Sequence, residues 1–200
     1  MNYLAHIYLS GENDLVTIGN FIADGIKGKN YMKFPKEIQI GILLHRHIDT
    51  FTDAHKTVRK STKRLHEKYG HYSGIIVDIL YDHFLAKNWS VYCGTPLVEY
   101  VGTFYDSLET HYELLPLRIQ KMTPYMTTNN WLVSYASIEG ITKALEGVNR
   151  RTKYISSMNE AVIELEEFYA DFENEFTQFF DELIVFSKNK LNELTLTYNE

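Results

Sequence analysis

The stretch PKEIQIGILLHRHIDTFTD, residues 35–53, spaces its apolar side chains at intervals of three and four residues, which predicts an α-helix. Pro35 suits the start of that helix, because proline is well tolerated in the first turn. At about 100° per residue, His45 and Asp49 share one mostly apolar face. A carboxylate on such a face is costly unless it is paired or binds a cation. Asp49 therefore indicates either a structural histidine–aspartate pair or a metal site.

The remainder of the chain shows the same helical periodicity, with only four prolines and no Asn-Gly or Gly-Gly hairpin signal. The predicted helices cover residues 1–10, 14–27, 35–53, 55–69, 72–92, 96–113, 116–124, 129–136, 138–147 and 156–190. With 200 residues and 44% hydrophobic content, the chain can build one sizeable core. We therefore expect an all-α fold, a single-domain helical bundle over residues 1–200, with a loosely ordered tail from about residue 192.

The composition limits the classes of protein to which the chain can belong. Its net charge of −6 at pH 7 argues against general nucleic-acid binding. No apolar stretch approaches the roughly 20 residues that a membrane-spanning helix needs. The N-terminus lacks a signal-peptide pattern, and the lone Cys93 cannot form an internal disulfide. We expect a cytoplasmic protein that binds neither nucleic acid nor membrane, with Cys93 in a structural role.

Charge is unevenly distributed along the chain. Residues 27–68 hold eleven of the twenty lysines and arginines, whereas residues 160–182 contain nine acidic side chains and no basic one. Two solvated helix faces of opposite sign would explain both regions. The alternative explanation is a basic docking surface for an acidic partner.

Other acidic side chains also fall on apolar faces of predicted helices. Asp78 and Asp82 are four residues apart and point inward on the helical wheel, whereas His83 points to the opposite side. His6 and Asp24 also lie in apolar surroundings, although a lone histidine there is more often a structural core residue. One bundle could bring together five side chains of the kind that bind Mn²⁺, Fe²⁺ or Mg²⁺, namely His6, Asp24, His45, Asp49 and Asp82.

Five blocks of sequence are distinctive as an ordered set. They are MNYLAHIYL at 1–9, GNFIADGIKG at 19–28, HRHIDTFTD at 45–53, DILYDHFLAKNWS at 78–90 and WLVSYASIEGITKALEGVNRR at 131–151. The motifs of ferritin-like di-iron proteins, zincins, serine hydrolases, P-loop enzymes and Rossmann enzymes do not occur. Together the five blocks resemble the acyl carrier protein phosphodiesterases, a divergent branch of the HD-type metal-dependent phosphohydrolases.

The resemblance implies an HD-domain-like helical fold and a specific reaction. That reaction is hydrolysis of the phosphodiester that links 4′-phosphopantetheine to a serine of holo-acyl carrier protein, with Mn²⁺ as the favoured metal. The adjacent His-Asp pair of ordinary HD proteins does not follow here, because Arg46 comes after His45. By this resemblance, the expected metal or catalytic positions are His6, Asp24, His45, Asp49 and Asp82. Asp53, Asp78 and His83 are candidates of second rank.

Two roles within this site have more than one candidate or explanation. Asp24 and Asp49 are both candidates for the general base. Arg46 is a candidate catalytic residue that clamps phosphate, because a guanidinium group matches phosphate oxygens. An ion pair of Arg46 with Asp49, Asp53 or an acidic helix explains its position equally well.

The resemblance also gives the basic segment a role. Acyl carrier proteins are small and strongly acidic, so basic side chains after the metal helix could steer the partner toward the site. The side chains predicted to contact it are Lys56, Arg59, Lys60, Lys63 and Arg64. Two other functions stay open. One is an HD-like phosphohydrolase for another phosphoester, such as a nucleotide or another carrier domain, and the other is a non-catalytic helical interaction protein.

Overall fold

Helices make up nearly all of the described chain. The structure, a computed structural model, describes residues 1–152 and 156–199. Within these residues it contains twelve α-helices and no β-strand, so the all-α prediction is confirmed. In chain order the helices are α1 (Tyr3–Tyr8), α2 (Asp14–Ile22), α3 (Lys36–Ala54), α4 (Lys56–Tyr69), α5 (Ser73–Lys87), α6 (Trp89–Tyr92), α7 (Leu97–Thr110), α8 (Leu117–Thr128), α9 (Trp131–Ser134), α10 (Ile138–Asn149), α11 (Val162–Glu167) and α12 (Tyr169–Asn199). None of the described helices is both long and apolar enough to cross a lipid bilayer.

Most predicted helices are observed with ends shifted by a few residues. α2 is shorter than predicted, because it ends at Ile22 and is followed by 3₁₀ turns over Ala23–Gly25 and Gly28–Lys33. Two predicted helices are instead divided. The helix predicted over 72–92 is split between α5 and α6, and the one predicted over 156–190 is split between α11 and α12. The segment after α2 is therefore a set of tight turns rather than the end of a longer helix.

The described C-terminal residues are helical, where the sequence predicts a loosely ordered tail from about residue 192. α12 continues to Asn199 without a break. Leu194 is buried against the core, and the Tyr198 hydroxyl donates a hydrogen bond of 3.2 Å to Gln39 Oε1. These contacts fix the last turns of α12 to the beginning of α3.

One hydrophobic core joins the helices into a single helical domain. α5 runs through its centre, since the successive residues 79–86 are all buried. The aromatic stripe of α12 supplies the fully buried side chains of Phe172, Phe176, Phe179 and Phe180. The stripe therefore serves helix packing, as its spacing indicates. The HD-domain-like character of the fold stays a prediction.

Two glycines let α2 and α3 approach each other closely. A Cβ atom on Gly19 would lie 2.3 Å from the carbonyl oxygen of Ile38, and one on Gly41 would lie 2.0 Å from that of Val16. No larger side chain fits at such distances from backbone atoms, so both positions require glycine. This close packing brings the polar side chains of α2 and α3 into contact.

Candidate metal centre

Two histidines and an aspartate, from α1 and α3, converge at the edge of the core. His6 Nε2 lies 3.4 Å from Asp49 Oδ1, and His45 Nε2 lies 3.1 Å from Asp49 Oδ2. The two imidazole rings stack with their centroids 3.9 Å apart. One ligand atom from each of the three residues lies within 4.8 Å of the others. Both histidines are buried and Asp49 is half-buried, and this group could hold a metal ion.

Asn20 fixes which nitrogen of each ring carries a proton. Its side-chain amide donates to the carbonyl oxygen of His6 and to Ser10 Oγ, both at 2.9 Å, which turns its Oδ1 toward the His6 ring. That oxygen can only accept, so His6 Nδ1 donates to it across 2.7 Å. The backbone oxygen of Asn20 accepts from His45 Nδ1 at 2.8 Å. In the neutral form of each ring, the unprotonated Nε2 therefore faces Asp49.

Among the described residues, Nε2 of His6 forms polar contacts only with hydrogen-bond acceptors. Nε2 of the neutral ring faces the carbonyl oxygen of Met1 at 3.2 Å as well as the Asp49 carboxylate. Lone pairs that face one another are unfavourable unless a proton or a cation lies among them. Metal-binding histidines commonly donate their other ring N–H to an oxygen, as both histidines do here. The residues present therefore fit a divalent cation.

Without a metal ion, a proton on His45 supplies positive charge to the group. Burial alone would lower the pKa of His45, but hydrogen bonds to Asp24 and Asp49 outweigh burial and raise the pKa to about 9. Burial lowers the pKa of His6 to about 4, and the charge of His45 contributes to this shift. Burial would raise the pKa of Asp49, yet the hydrogen bond and the positive charge of protonated His45 hold it well below its ordinary value. Asp49 is therefore ionised at neutral pH.

Asp24 lies on the solvent side of the group. Its Oδ1 is 3.2 Å from His45 Nε2, and its side chain is 72% exposed. The hydrogen bond from His45 lowers the pKa of Asp24, so that its carboxylate is also ionised at neutral pH. Asp24 is thus adjacent to the three-residue group of His6, His45 and Asp49 but more accessible than any of its members.

Arg46 holds the segment that follows Asp24. Its Nη2 donates to the carbonyl oxygens of Ile26 and Gly28 over 3.0 and 2.8 Å. Its guanidinium group lies 5.2 Å from the centroid of the Tyr31 ring. Among the described residues, no ion pair joins Arg46 to Asp49, Asp53 or the acidic helix, and Asp49 contacts both histidines instead. Its role as a phosphate clamp stays a prediction.

Comparison with known proteins identifies the family of the chain. The model of a family described as acyl carrier protein phosphodiesterase matches residues 1–183, which include all residues of the candidate metal centre. The chain belongs to the acyl carrier protein phosphodiesterase family. A relative of this name from Photorhabdus laumondii is 30% identical over 191 residues, which cover 95% of this chain and 96% of the relative. Relatives of the same name from Pectobacterium atrosepticum and Yersinia pestis are each 28% identical over 191 residues, covering 95% of this chain and 99% of each relative. No solved structure matches the chain significantly.

Asp78 and Asp82 of α5, two predicted site residues, contact the start of α1 in this member of the acyl carrier protein phosphodiesterase family. Asp82, a predicted metal ligand, does not join the group, because its carboxylate accepts from the backbone N–H groups of Leu4 and Ala5 at 2.7 and 3.2 Å. The first N–H groups of a helix need such partners. Asp78 Oδ1 accepts from the amino group of Met1 at 2.9 Å. Both aspartates therefore position the helix that carries the first histidine.

The remaining predicted positions, His83 and Asp53, also lie outside the group. His83 is buried, and its Nδ1 donates to the carbonyl oxygen of Tyr135 while its Nε2 accepts from the Tyr169 hydroxyl, both at 2.8 Å. As the helical wheel predicts, His83 points away from Asp82, but that side of α5 is buried too. Asp53 is exposed near the end of α3. Neither residue contacts the two histidines of the centre.

The basic residues of α4 are only partly free to meet a partner. Arg64 donates two hydrogen bonds of 2.8 Å to Glu175 of α12, and Lys60 lies 3.0 Å from the same carboxylate. The acidic helix therefore neutralises part of the basic segment, in line with two helix faces of opposite sign. Among the described residues, the members of the predicted docking set without an ion pair are Lys56, Arg59 and Lys63. The docking role of α4 stays a prediction.

Two groups at the centre have no counterpart among the predicted site residues. They are the side chain of Asn20 and the carbonyl oxygen of Met1. The sequence does indicate Asn20, because it lies four residues before Asp24 and therefore on the same face of the predicted helix. The second is a backbone atom, which no pattern of side chains indicates.

Proposed function

We propose that this chain hydrolyses the phosphodiester between 4′-phosphopantetheine and a serine of holo-acyl carrier protein, releasing apo-protein and 4′-phosphopantetheine in a metal-dependent reaction. The main support is the convergence of His6 and His45, each with Nε2 unprotonated in its neutral form, on the Asp49 carboxylate. The relatives are named for this substrate and this class of bond. We place the reaction in the cytoplasm, where a chain with one free cysteine is ordinary.

His6, His45 and Asp49 are the residues that would hold the metal. Two imidazole nitrogens and a carboxylate suit Mn²⁺, which we favour, with Mg²⁺ or Fe²⁺ as alternatives. When bound, the metal supplies positive charge against the phosphoryl oxygens and activates water for attack. Asn20 keeps both rings oriented toward it by accepting their Nδ1 protons.

Asp24 is the residue that we assign as general base. Its carboxylate is exposed beside His45 and ionised at neutral pH, so it can accept a proton from the attacking water. Asp49 directs one oxygen toward each histidine and is better placed to hold the metal than to move a proton. Arg46 positions Asp24 indirectly, because it holds the backbone that follows it.

Mass spectrometry of the carrier protein tests this proposal. Incubation of holo-acyl carrier protein with the wild-type chain and Mn²⁺ is expected to remove the mass of 4′-phosphopantetheine, and a chelator is expected to prevent the loss. Asp49→Asn should lower the rate by about 100-fold or more, because the metal loses its carboxylate. Asp106→Asn, which changes an exposed aspartate of α7, is the control and should react like the wild type.

Three results would contradict the proposal. A carrier protein of unchanged mass with Mn²⁺, Mg²⁺ and Fe²⁺ would exclude the reaction. Metal-dependent hydrolysis of a nucleotide in its place would support an HD-like enzyme for another phosphoester. Absence of both metal binding and hydrolysis would support a helical interaction protein.

A further inference from the structure

Segments 25–36 and 114–138 combine exposed basic side chains with an absence of acidic ones. Both lack aspartate and glutamate, although the chain has 26 acidic residues and a net charge of −6. Lys36 donates to the backbone oxygen of Tyr198 and is thereby occupied. The other basic side chains of the two segments are exposed and are called the basic rim here: Lys27, Lys29, Lys33, Arg118 and Lys121.

Internal ion pairs do not use the basic rim. Among the described residues, the lysines and arginines that pair with carboxylates are Lys60, Arg64, Lys68, Lys87, Lys143, Arg150 and Lys190. Three of these belong to α4 and pair with acids of the 160–175 region. The rim therefore keeps its positive charge, whereas much of the charge of α4 is neutralised.

The first segment lies beside the candidate metal centre. Segment 25–36 follows Asp24 directly in the chain. Arg46 of α3 donates to the carbonyl oxygens of Ile26 and Gly28 over 3.0 and 2.8 Å. Because Arg46 is the chain neighbour of a metal-binding histidine, these bonds hold the segment next to the centre. Its lysines are thus carried by a fixed piece of backbone.

The second segment reaches the same region through α1. The Tyr3 hydroxyl donates to Met122 Sδ of α8 over 4.0 Å. Met122 lies one turn after Arg118 on the same helix face, and Tyr3 lies about one turn before His6. Burial raises the pKa of the Tyr3 hydroxyl. Among the charged groups Arg151 lowers this pKa most, Asp24 raises it and Arg118 lowers it, so all three charges lie near the hydroxyl.

Large apolar side chains are exposed within the same two segments. Met32 is 61% exposed in the first segment, and Leu117 and Tyr125 are 65% and 68% exposed on α8. Protein interfaces are enriched in methionine, tyrosine and arginine. A small anion would gain nothing from these apolar groups, whereas an acidic protein would contact both the charges and the apolar surface.

We propose that the basic rim, together with Met32, Leu117 and Tyr125, is the docking surface for the acidic carrier protein, and that the partner presents its phosphodiester to the metal centre from the side of Asp24. This inference rests on the proposed function. It assigns docking to segments 25–36 and 114–138, whose basic rim forms no ion pair among the described residues, instead of to α4, where Lys60, Arg64 and Lys68 are paired. Opposite charge favours the encounter and orients the partner.

Binding of fluorescently labelled apo-acyl carrier protein, measured by anisotropy, tests the surface. This protein is the reaction product, so it binds without being turned over. The combined variant Lys27→Glu, Lys29→Glu and Lys33→Glu should raise Kd about tenfold or more at low salt and weaken its salt dependence. Arg118→Glu with Lys121→Glu should act in the same direction. Replacing the same three lysines by arginine keeps the charge and should keep wild-type affinity.

The matched comparison is the variant Lys56→Glu, Arg59→Glu and Lys63→Glu, which makes the same change of charge on α4. The proposal predicts a loss of affinity several times smaller than that of the rim variant. A loss on α4 that equals or exceeds the rim variant's would overturn it, and so would undetectable binding of the wild type at low salt. Intact binding without hydrolysis of holo-acyl carrier protein would contradict the proposed function instead.

Discussion

The Asn20 side chain holds the protonated nitrogen of His6, and its backbone oxygen holds that of His45. Asn20→Ala removes the first bond and frees the His6 ring to rotate. We expect the affinity for Mn²⁺ to fall about 10- to 100-fold, as is common when the hydrogen-bond partner of a metal ligand is lost. Isothermal titration calorimetry measures this change.

Asn13→Ala provides a control on the same helix. The Asn13 side chain accepts from the backbone N–H of Val16 at 3.0 Å and caps α2. Its loss should lower the free energy of unfolding by about 1 kcal/mol without changing metal affinity. If both variants lost affinity equally, Asn20 would act only through the stability of α2.

Asp82 shows how far helical spacing predicts a site residue. A helical wheel gives the direction of a side chain around its own axis, and the inward direction of Asp82 is correct, since it is fully buried. The wheel does not give the level along the bundle at which neighbouring helices begin. Asp82 lies opposite the first turn of α1, where backbone N–H groups need an acceptor, and this position follows only from the packing of α1 on α5.

A comparison of Asp82→Ala with Asp24→Ala separates the structural aspartate from the accessible one. Asp82→Ala should lower the free energy of unfolding by about 1–3 kcal/mol, because two buried N–H groups lose their acceptor. Asp24→Ala should change it by less than about 1 kcal/mol, since that side chain is exposed, yet should abolish most turnover. Urea denaturation and the hydrolysis assay measure both. The reverse order of stabilities would refute these roles.

At the scale of elements, the contact between α2 and α3 depends on glycine. Gly41→Ala places a Cβ atom 2.0 Å from the carbonyl oxygen of Val16 and should separate the two helices. We expect a loss of about 2–3 kcal/mol in the free energy of unfolding and weaker metal binding. Gly102→Ala is the control, because its Cβ meets nothing within 4 Å in α7 and should stabilise by about 0.5–1 kcal/mol. Unchanged stability of Gly41→Ala would show that the helices are not in close contact.

The ion pairs between α4 and α12 predict a dependence of stability on pH. Burial would raise the pKa of Glu175, but hydrogen bonds from Arg64, Ser61 and Lys60 outweigh burial and lower it below its ordinary value of 4.5. A lowered folded-state pKa stabilises the protein above the unfolded pKa, and this stabilisation is lost as the pH falls through the folded value. Glu175→Gln should therefore cost about 1–3 kcal/mol at pH 7 and progressively less below pH 4.5.

Denaturation of this variant and the wild type from pH 7 to pH 3 measures the effect. Glu166→Gln, on an exposed face of α11, is the control and should follow the wild type at each pH. A difference between Glu175→Gln and the wild type that does not depend on pH would mean that the Glu175 carboxylate is not held by its cations.

At the scale of the whole molecule, the periodicity of apolar residues predicts an all-helical chain with one core, and both are observed. The pairing of helices is harder to predict, because it depends on which faces meet. The basic region 27–68 and the acidic region 160–182 are far apart in the chain, yet α4 packs against α12 and their charges pair. Charge counts along the sequence therefore favour α4 for docking, whereas in the part of the chain that the structure describes the basic rim forms no ion pair.

The proposed hydrolysis depends most on a divalent metal held by His6, His45 and Asp49. Titration with Mn²⁺, followed by the electron paramagnetic resonance signal of the free ion, measures bound metal directly. We predict that the wild-type chain binds Mn²⁺ and that Asp49→Asn lowers the affinity at least about 100-fold, because one of three ligands loses its charge. Equal binding by the two proteins, or no binding by the wild type, would contradict the metal centre.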